Sequence, residues 1–143
     1  LYGWLPENLS TLNSSSMKPI NFGLWLINKL NSNEEVQIIQ DEFSSPIIAD
    51  DFAKSIIHLL KGNYSGIFHS APNICINRYD FSKKIAEELN LDVKLIKPIL
   101  NKTLGRNVKT GINKCLDSTK IQNLTKFKFL TLSESISLLK NNF

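Results

Sequence analysis

The sequence predicts an α/β protein in which helices pack on short strands, and three observations carry that expectation. Apolar residues recur at helical spacing in several segments, most clearly at Phe52, Ala53, Ile56, Ile57 and Leu60. Short apolar runs at 36–39, 67–70 and 93–96 alternate with those segments, as strands do in an α/β chain. Glycine and proline punctuate the alternation: Gly62 and Gly66 lie between a helix and a run, and Pro72 and Pro98 follow runs.

Residues 5–20 form a polar loop without apolar periodicity, containing Pro6, Asn13-Ser14-Ser15-Ser16 and Pro19. A mostly buried helix is expected over 22–30, from Phe22, Trp25, Leu26, Ile27 and Leu30, and Asn31-Ser32-Asn33 ends it. Val36, Ile38 and Ile39 then make a strand leading into an irregular approach, 40–46, that ends at Pro46. Asp50 or Asp51 supplies the N-cap oxygen of the next helix, one face of which is apolar. Lys61 complements its last turn and Gly62 stops it. The run 67–70 reads as a short buried strand, with His69 as a hydrogen-bonded core histidine.

Asn77 with Asp80 signals another helix, with Phe81, Ile85 and Leu89 as its buried stripe and Ser82 and Ala86 beside them. Val93, Leu95 and Ile96 give the next strand, closed by Pro98. A basic loop over 100–115 carries Lys102, Arg106, Lys109 and Lys114. Asp117 caps a short helix over Ile121 and Leu124. Thr131-Leu132-Ser133-Glu134 is a capping box opening a helix that buries Leu132, Ile136 and Leu139.

A length of 143 residues suits one ordinary domain, and 42% apolar with 21% charged residues is usual for a globular protein. The apolar runs are too short for a membrane-spanning helix, so no membrane partner is expected. The net charge of +4 favours anionic partners, but the lysines are scattered and no nucleic-acid signature accompanies them. Cys75 and Cys115 make no disulfide framework and read as small apolar core residues. Five Asn-x-Ser/Thr sites, beginning at Asn8, Asn13, Asn63, Asn101 and Asn123, are what an Asn- and Ser-rich chain produces by chance. A cytoplasmic setting is therefore expected.

Tyr79 and Lys83 share a helix face at the Tyr-x-x-x-Lys spacing in which a lysine activates a proton-donating tyrosine. A two-residue motif is unspecific, and its other half is missing: no glycine-rich fingerprint follows a strand anywhere in the chain. His58 and His69 stand far apart without ligand-spaced partners, so no metal is expected.

Several segments together resemble the dTDP-4-dehydrorhamnose reductases, members of the extended short-chain dehydrogenase/reductase family. That family's D-Q-x-G-x-P-T reads Asp41-Glu42-Phe43-Ser44-Ser45-Pro46-Ile47 here, and its D-L-A reads Asp51-Phe52-Ala53. Its G-x-Y-H-x-A reads Gly66-Ile67-Phe68-His69-Ser70-Ala71, and its L-D-T-S-K-L reads Leu116-Asp117-Ser118-Thr119-Lys120-Ile121. Leu1-Tyr2-Gly3 resembles the tail of its S-W-x-Y-G, and Asn21-Phe22 its N-F pair. The resemblance implies the C-terminal substrate-binding part of a Rossmann-type enzyme, 1–143, as a fragment whose N-terminal half is absent. It places the catalytic Tyr-Lys pair and the NADPH or NADH site in that half, and makes Tyr79 a peripheral residue.

A nucleoside diphosphate-sugar is the implied substrate, reduced at a 4-keto group in dTDP-L-rhamnose synthesis. Its implied contacts are Tyr2, Gly3, Asn21, Phe22, Glu42, Pro46 and Arg106. Implied partners are the Rossmann half and the sugar nucleotide, with a homodimer left open. Glu42, Ser44 and Ile47 depart from the family's Gln, Gly and Thr, and a carboxylate at 42 would repel a diphosphate unless it points away. That departure keeps two alternatives: a non-catalytic subunit resembling the methionine adenosyltransferase β subunit, and a related epimerase or dehydratase.

Overall fold

The computed structural model describes Tyr2, residues 21–105 and residues 111–140. Gly3, Trp4, the expected loop 5–20, Arg106 and Lys109 lie outside them.

Helix α1, Phe22–Asn31, starts at Asn21, whose Oδ1 accepts from the N–H groups of Gly23 at 3.0 Å and Leu24 at 3.4 Å. Leu26, Ile27 and Leu30 are buried along one side. Strand β1, Val36–Ile39, follows and pairs in parallel with a distant strand, β4, Ile96–Ile99, with Val36 opposite Ile96 and Ile39 opposite Ile99. The expected strand at 93–96 is thus displaced toward the C-terminus. Asp92 accepts from the Lys94 N–H at 2.8 Å and turns Val93–Leu95 into a 3-10 segment. Pro98 lies inside β4 instead of closing it, tolerated because among the described residues this sheet has two strands and β4 is an edge.

A second sheet has three very short strands in the order β3-β2-β5. Strand β2 is Phe43–Ser44, antiparallel to β3, Ile76–Asn77, and parallel to β5, Asn113–Lys114. Pro46 has no N–H and ends the central strand. Neighbouring strands lie about 4.8 Å apart, so outer strands would be about 10 Å apart. Beyond Pro46 they converge instead, and a disulfide joins Cys75 to Cys115 with their Cα atoms 5.4 Å apart. This corrects the core reading of both cysteines: Cys75 is exposed, Cys115 half-buried, and neither is free. Cysteine usage therefore no longer argues for a reducing compartment. Ser45 ties the same corner, donating to the Ile74 carbonyl at 2.6 Å and accepting from the Leu116 N–H at 3.0 Å.

Helix α2, Ala49–Lys61, begins at Ile48 without a side-chain cap, so Asp50 and Asp51 lie in its first turn and not at its N-cap. Its apolar side is not the buried one. Asp51 and Ser55 are the buried positions, whereas Ile57 is 49% and Leu60 71% exposed. The buried side is held by polar contacts, with Asp51 Oδ2 accepting from the Leu130 N–H at 2.9 Å and Ser55 hydrogen-bonded to Ser70. The apolar side has no large partner among the described residues.

Residues 67–70 are not a strand and Ile67 is 83% exposed. Side chains pin the segment in place of a backbone ladder. Lys120 donates to the Ile67 carbonyl at 2.8 Å, and His69 Nδ1 lies 3.2 Å from the Asp117 carbonyl oxygen. His69 is hydrogen-bonded, but on the surface.

Helix α3, Arg78–Glu88, has the expected start: Asn77 Oδ1 accepts from the Asp80 N–H and its Nδ2 donates to the Asp80 carboxylate, both at 2.8 Å. Phe81, Ser82, Ile85 and Ala86 are buried. Helix α4, Thr119–Thr125, buries Ile121, while Leu124 is exposed. Helix α5, Leu132–Lys140, opens with the reciprocal capping box. The Thr131 N–H donates to Glu134 at 2.7 Å and the Glu134 N–H to Thr131 Oγ1 at 3.3 Å. Those Thr131 bonds hold the Glu134 carboxyl below the usual glutamate range. The core lies between α1, β1, β4, α3 and α5, around Leu26, Ile38, Ile85, Ile96, Ile136 and Leu139. No helix among the described residues is long and apolar enough to cross a membrane.

Candidate functional site

Tyr2 enters the fold as a parallel bridge to Ile48. Its N–H donates to the Ile47 carbonyl at 3.0 Å, and its own carbonyl accepts from the Ala49 N–H at 2.7 Å. This bridge brings Tyr2 against the start of α1, the end of β2 and the first turn of α3. The four segments enclose a cleft of about 170 Å³ lined by Tyr2, Phe22, Ser44, Ser45, Pro46, Arg78 and Phe81. Its walls are aromatic: Phe81 meets Tyr2 edge-on at 5.2 Å and stacks with Phe22 at 6.3 Å.

The Tyr2 hydroxyl is not available to a ligand, because it donates to the buried Ser135 side chain. Burial pushes its pKa up, the Ser135 hydrogen bond opposes this, and nearby Asp51 adds to the rise. Tyr2 therefore offers the cleft a ring and no proton. Asn21 is buried as the cap of α1, and Phe22 beside it turns its ring to the cleft. Pro46 forms the opposite wall. Glu42 is buried and forms an ion pair with Lys114 across the β2–β5 edge, away from the cleft lining. Its carboxylate is thus charge-matched within the protein. Of the seven residues named from the resemblance, Tyr2, Phe22 and Pro46 meet at one place, and Asn21 and Glu42 are not among the residues lining it.

Arg78 and Phe81 complete the cleft and were not among those seven. They lie three residues apart, so they share a face of α3 once Asn77 fixes its start. That spacing was the available signal. The Arg78 guanidinium lies 5.3 Å from the Phe22 ring centroid. The neighbouring Asp80 is engaged elsewhere, paired with Lys83 at 3.0 Å and bonded to Asn77. The Lys83 hydrogen bond is the main cause holding the Asp80 carboxyl below its usual range, and the same bond raises Lys83.

Tyr79 does not line the cleft. Lys83 Nζ lies over its ring, 4.6 Å from the centroid, and pairs with Asp80 instead of the phenol oxygen. That is packing geometry with no partner for proton transfer.

A family model described as the RmlD substrate binding domain matches residues 11–142. No curated protein matches the chain by sequence. Among solved structures, the dTDP-4-dehydrorhamnose reductase of Bacillus anthracis, in complex with NADP, superposes with a TM-score of 0.78 at 19% identity, over 88% of this chain and 44% of that one. A hypothetical dTDP-4-dehydrorhamnose reductase of Sulfolobus tokodaii gives 0.59 at 28% identity, over 78% and 40%. The UDP-N-acetylglucosamine 4-epimerase of Bacillus cereus gives 0.65 at 15% identity, over 87% and 41%. The chain thus spans less than half the length of these relatives. Its α/β architecture of helices on short strands is that of the extended short-chain dehydrogenase/reductases, and the chain belongs to the RmlD substrate-binding domain family.

Proposed function

We propose that the chain is the substrate-binding part of a dTDP-4-dehydrorhamnose reductase-like oxidoreductase, acting with NADPH or NADH on a 4-keto sugar nucleotide. The observation that carries this reading is the cleft, in which Tyr2, Phe22 and Pro46 converge from distant segments onto one aromatic-walled space. The remaining parts, a Rossmann half with the dinucleotide site and a catalytic Tyr-Lys pair, belong on this reading to a segment preceding Leu1.

The described residues do not themselves fit a nicotinamide dinucleotide. The N-termini of α1 and α3 are filled by the Asn21 and Asn77 side chains, and α2 carries Asp50 and Asp51 in its first turn, where they would repel a pyrophosphate. What this chain supplies is binding and orientation: ring surfaces against the sugar or base and a cation beside them, with water excluded by Phe22 and Phe81.

The exposed apolar side of α2 and the unpaired 67–70 segment support a missing half that covers them. The isolated 143-residue chain is accordingly expected to self-associate. Gel filtration with thermal unfolding checks this: a monodisperse monomer with a sharp cooperative transition would count against it.

The function is tested with full-length protein, dTDP-4-dehydrorhamnose and NADPH. Saturable NADPH oxidation with formation of dTDP-rhamnose is the expected result. The likeness to a UDP-sugar epimerase favours a second reading. UDP-sugar interconversion without net cofactor consumption would establish it in place of the first, and no binding of either sugar nucleotide would refute both.

A further inference from the structure

We infer that Arg78 is the anion-recognising residue of the cleft, held on the Phe22 ring to bind a phosphate of a nucleoside diphosphate. The inference rests on reading the cleft as a sugar-nucleotide site and adds which residue takes the charge. Its basis is the inventory of polar groups that a ligand could still use.

Three hydroxyl side chains line the cleft, and two are committed: Tyr2 donates to Ser135, and Ser45 bridges Ile74 and Leu116. The Ser44 hydroxyl has no partner among the described residues. No carboxylate lines the space among the described residues. The acids nearest in sequence are taken: Asp80 by Lys83 and Asn77, Glu42 by Lys114, and Asp41 by the Asn101 N–H at 2.8 Å. Arg78 is exposed and forms no ion pair among the described residues.

Among the described residues, what is left to a ligand is one guanidinium, one hydroxyl and aromatic or prolyl walls. That set is matched by a group that is anionic at one end and planar or apolar at the other. The cation–π contact with Phe22, 5.3 Å from Cζ to the ring centroid, uses none of the guanidinium N–H groups as a hydrogen-bond donor to a carboxylate, so they remain for paired bonds to phosphate oxygens. A free dicarboxylate would satisfy the cation but leave the rings unused, and a neutral sugar would leave the cation unpaired. A nucleoside diphosphate uses both.

The test is calorimetric titration of full-length wild type, Arg78→Met and Arg78→Lys with dTDP, thymidine and inorganic pyrophosphate. Arg78→Met keeps bulk over the Phe22 ring without the charge, and an unchanged thermal midpoint certifies its fold. Expected is a loss of dTDP affinity of roughly ten- to a hundredfold in Arg78→Met, partly restored in Arg78→Lys, with thymidine binding unchanged. Equal dTDP affinity in wild type and Arg78→Met overturns the inference while leaving the sugar-nucleotide reading standing. Equal losses for dTDP and thymidine also overturn it, making Arg78 a support for the Phe22 ring. If wild type binds no dTDP, that reading fails instead. Arg78-dependent binding of pyrophosphate would then uphold the anion site, and its absence would remove it.

Discussion

Reduction of the Cys75–Cys115 bond is expected to lower the free energy of unfolding by about 4 kcal/mol, the loop-closure value for two cysteines 40 positions apart. The bond ties the outer strands of a sheet whose strands are only two residues long, too short to hold register by backbone pairing alone. Ser45 is the remaining tie at that corner, through Ile74 and Leu116. The measurement is urea unfolding of oxidised protein, dithiol-reduced protein and the Cys75→Ser/Cys115→Ser double variant. The reduced and double-variant curves should coincide at a lower midpoint. Three coincident curves would mean that the sheet stands without the bond. Because Ser44 and Ser45 also line the cleft, dTDP affinity should fall in the same two samples.

Phe81→Ala is expected to destabilise the fold by about 3–5 kcal/mol, the range for truncating a buried aromatic side chain. Phe81 is 5% exposed and contacts the rings of both Tyr2 and Phe22, so its loss opens the core and a cleft wall together. Phe81→Leu retains most of the volume and should cost markedly less while still removing the ring contacts. Unfolding free energies and dTDP titrations of the two variants separate the effects. A Phe81→Ala cost under about 1 kcal/mol would show that the site collapses freely and that the aromatic cluster is not part of the core.

The starts of α3 and α5 were legible because their causes are local. The Asn77–Asp80 pair and the Thr131–Glu134 box each act within three residues, a distance that sequence order specifies directly, whereas α2 begins at Ile48 without the cap read at Asp50 or Asp51. The apolar stripes of α1, α3 and α5 were legible for a related reason: their partners are one another, so periodicity and burial agree. Of the residues that the family pattern names, Tyr2, Phe22 and Pro46 line the cleft.

Other features depended on contacts that sequence order does not encode. Helix α2 has the clearest apolar stripe in the chain, yet buries Asp51 and Ser55. A stripe reports which face seeks burial, not whether a partner for it lies within the described residues. Residues 67–70 have strand composition but no neighbouring strand among the described residues to complete a ladder, and Lys120, His69 and Ser70 hold them through side-chain hydrogen bonds. Cys75 and Cys115 meet only because β2 stops at Pro46 and lets the flanking chains converge. Arg78 stands as a cation for a ligand because Asp80 is bound to Lys83 and no carboxylate lines the cleft among the described residues. By itself the sequence determined the α/β class, the capped starts of α3 and α5 and the family to which the chain belongs. The tertiary structure decided which apolar face is buried, which charges are already matched and which cation is left for a ligand, since burial and pairing are settled by neighbours far away along the chain.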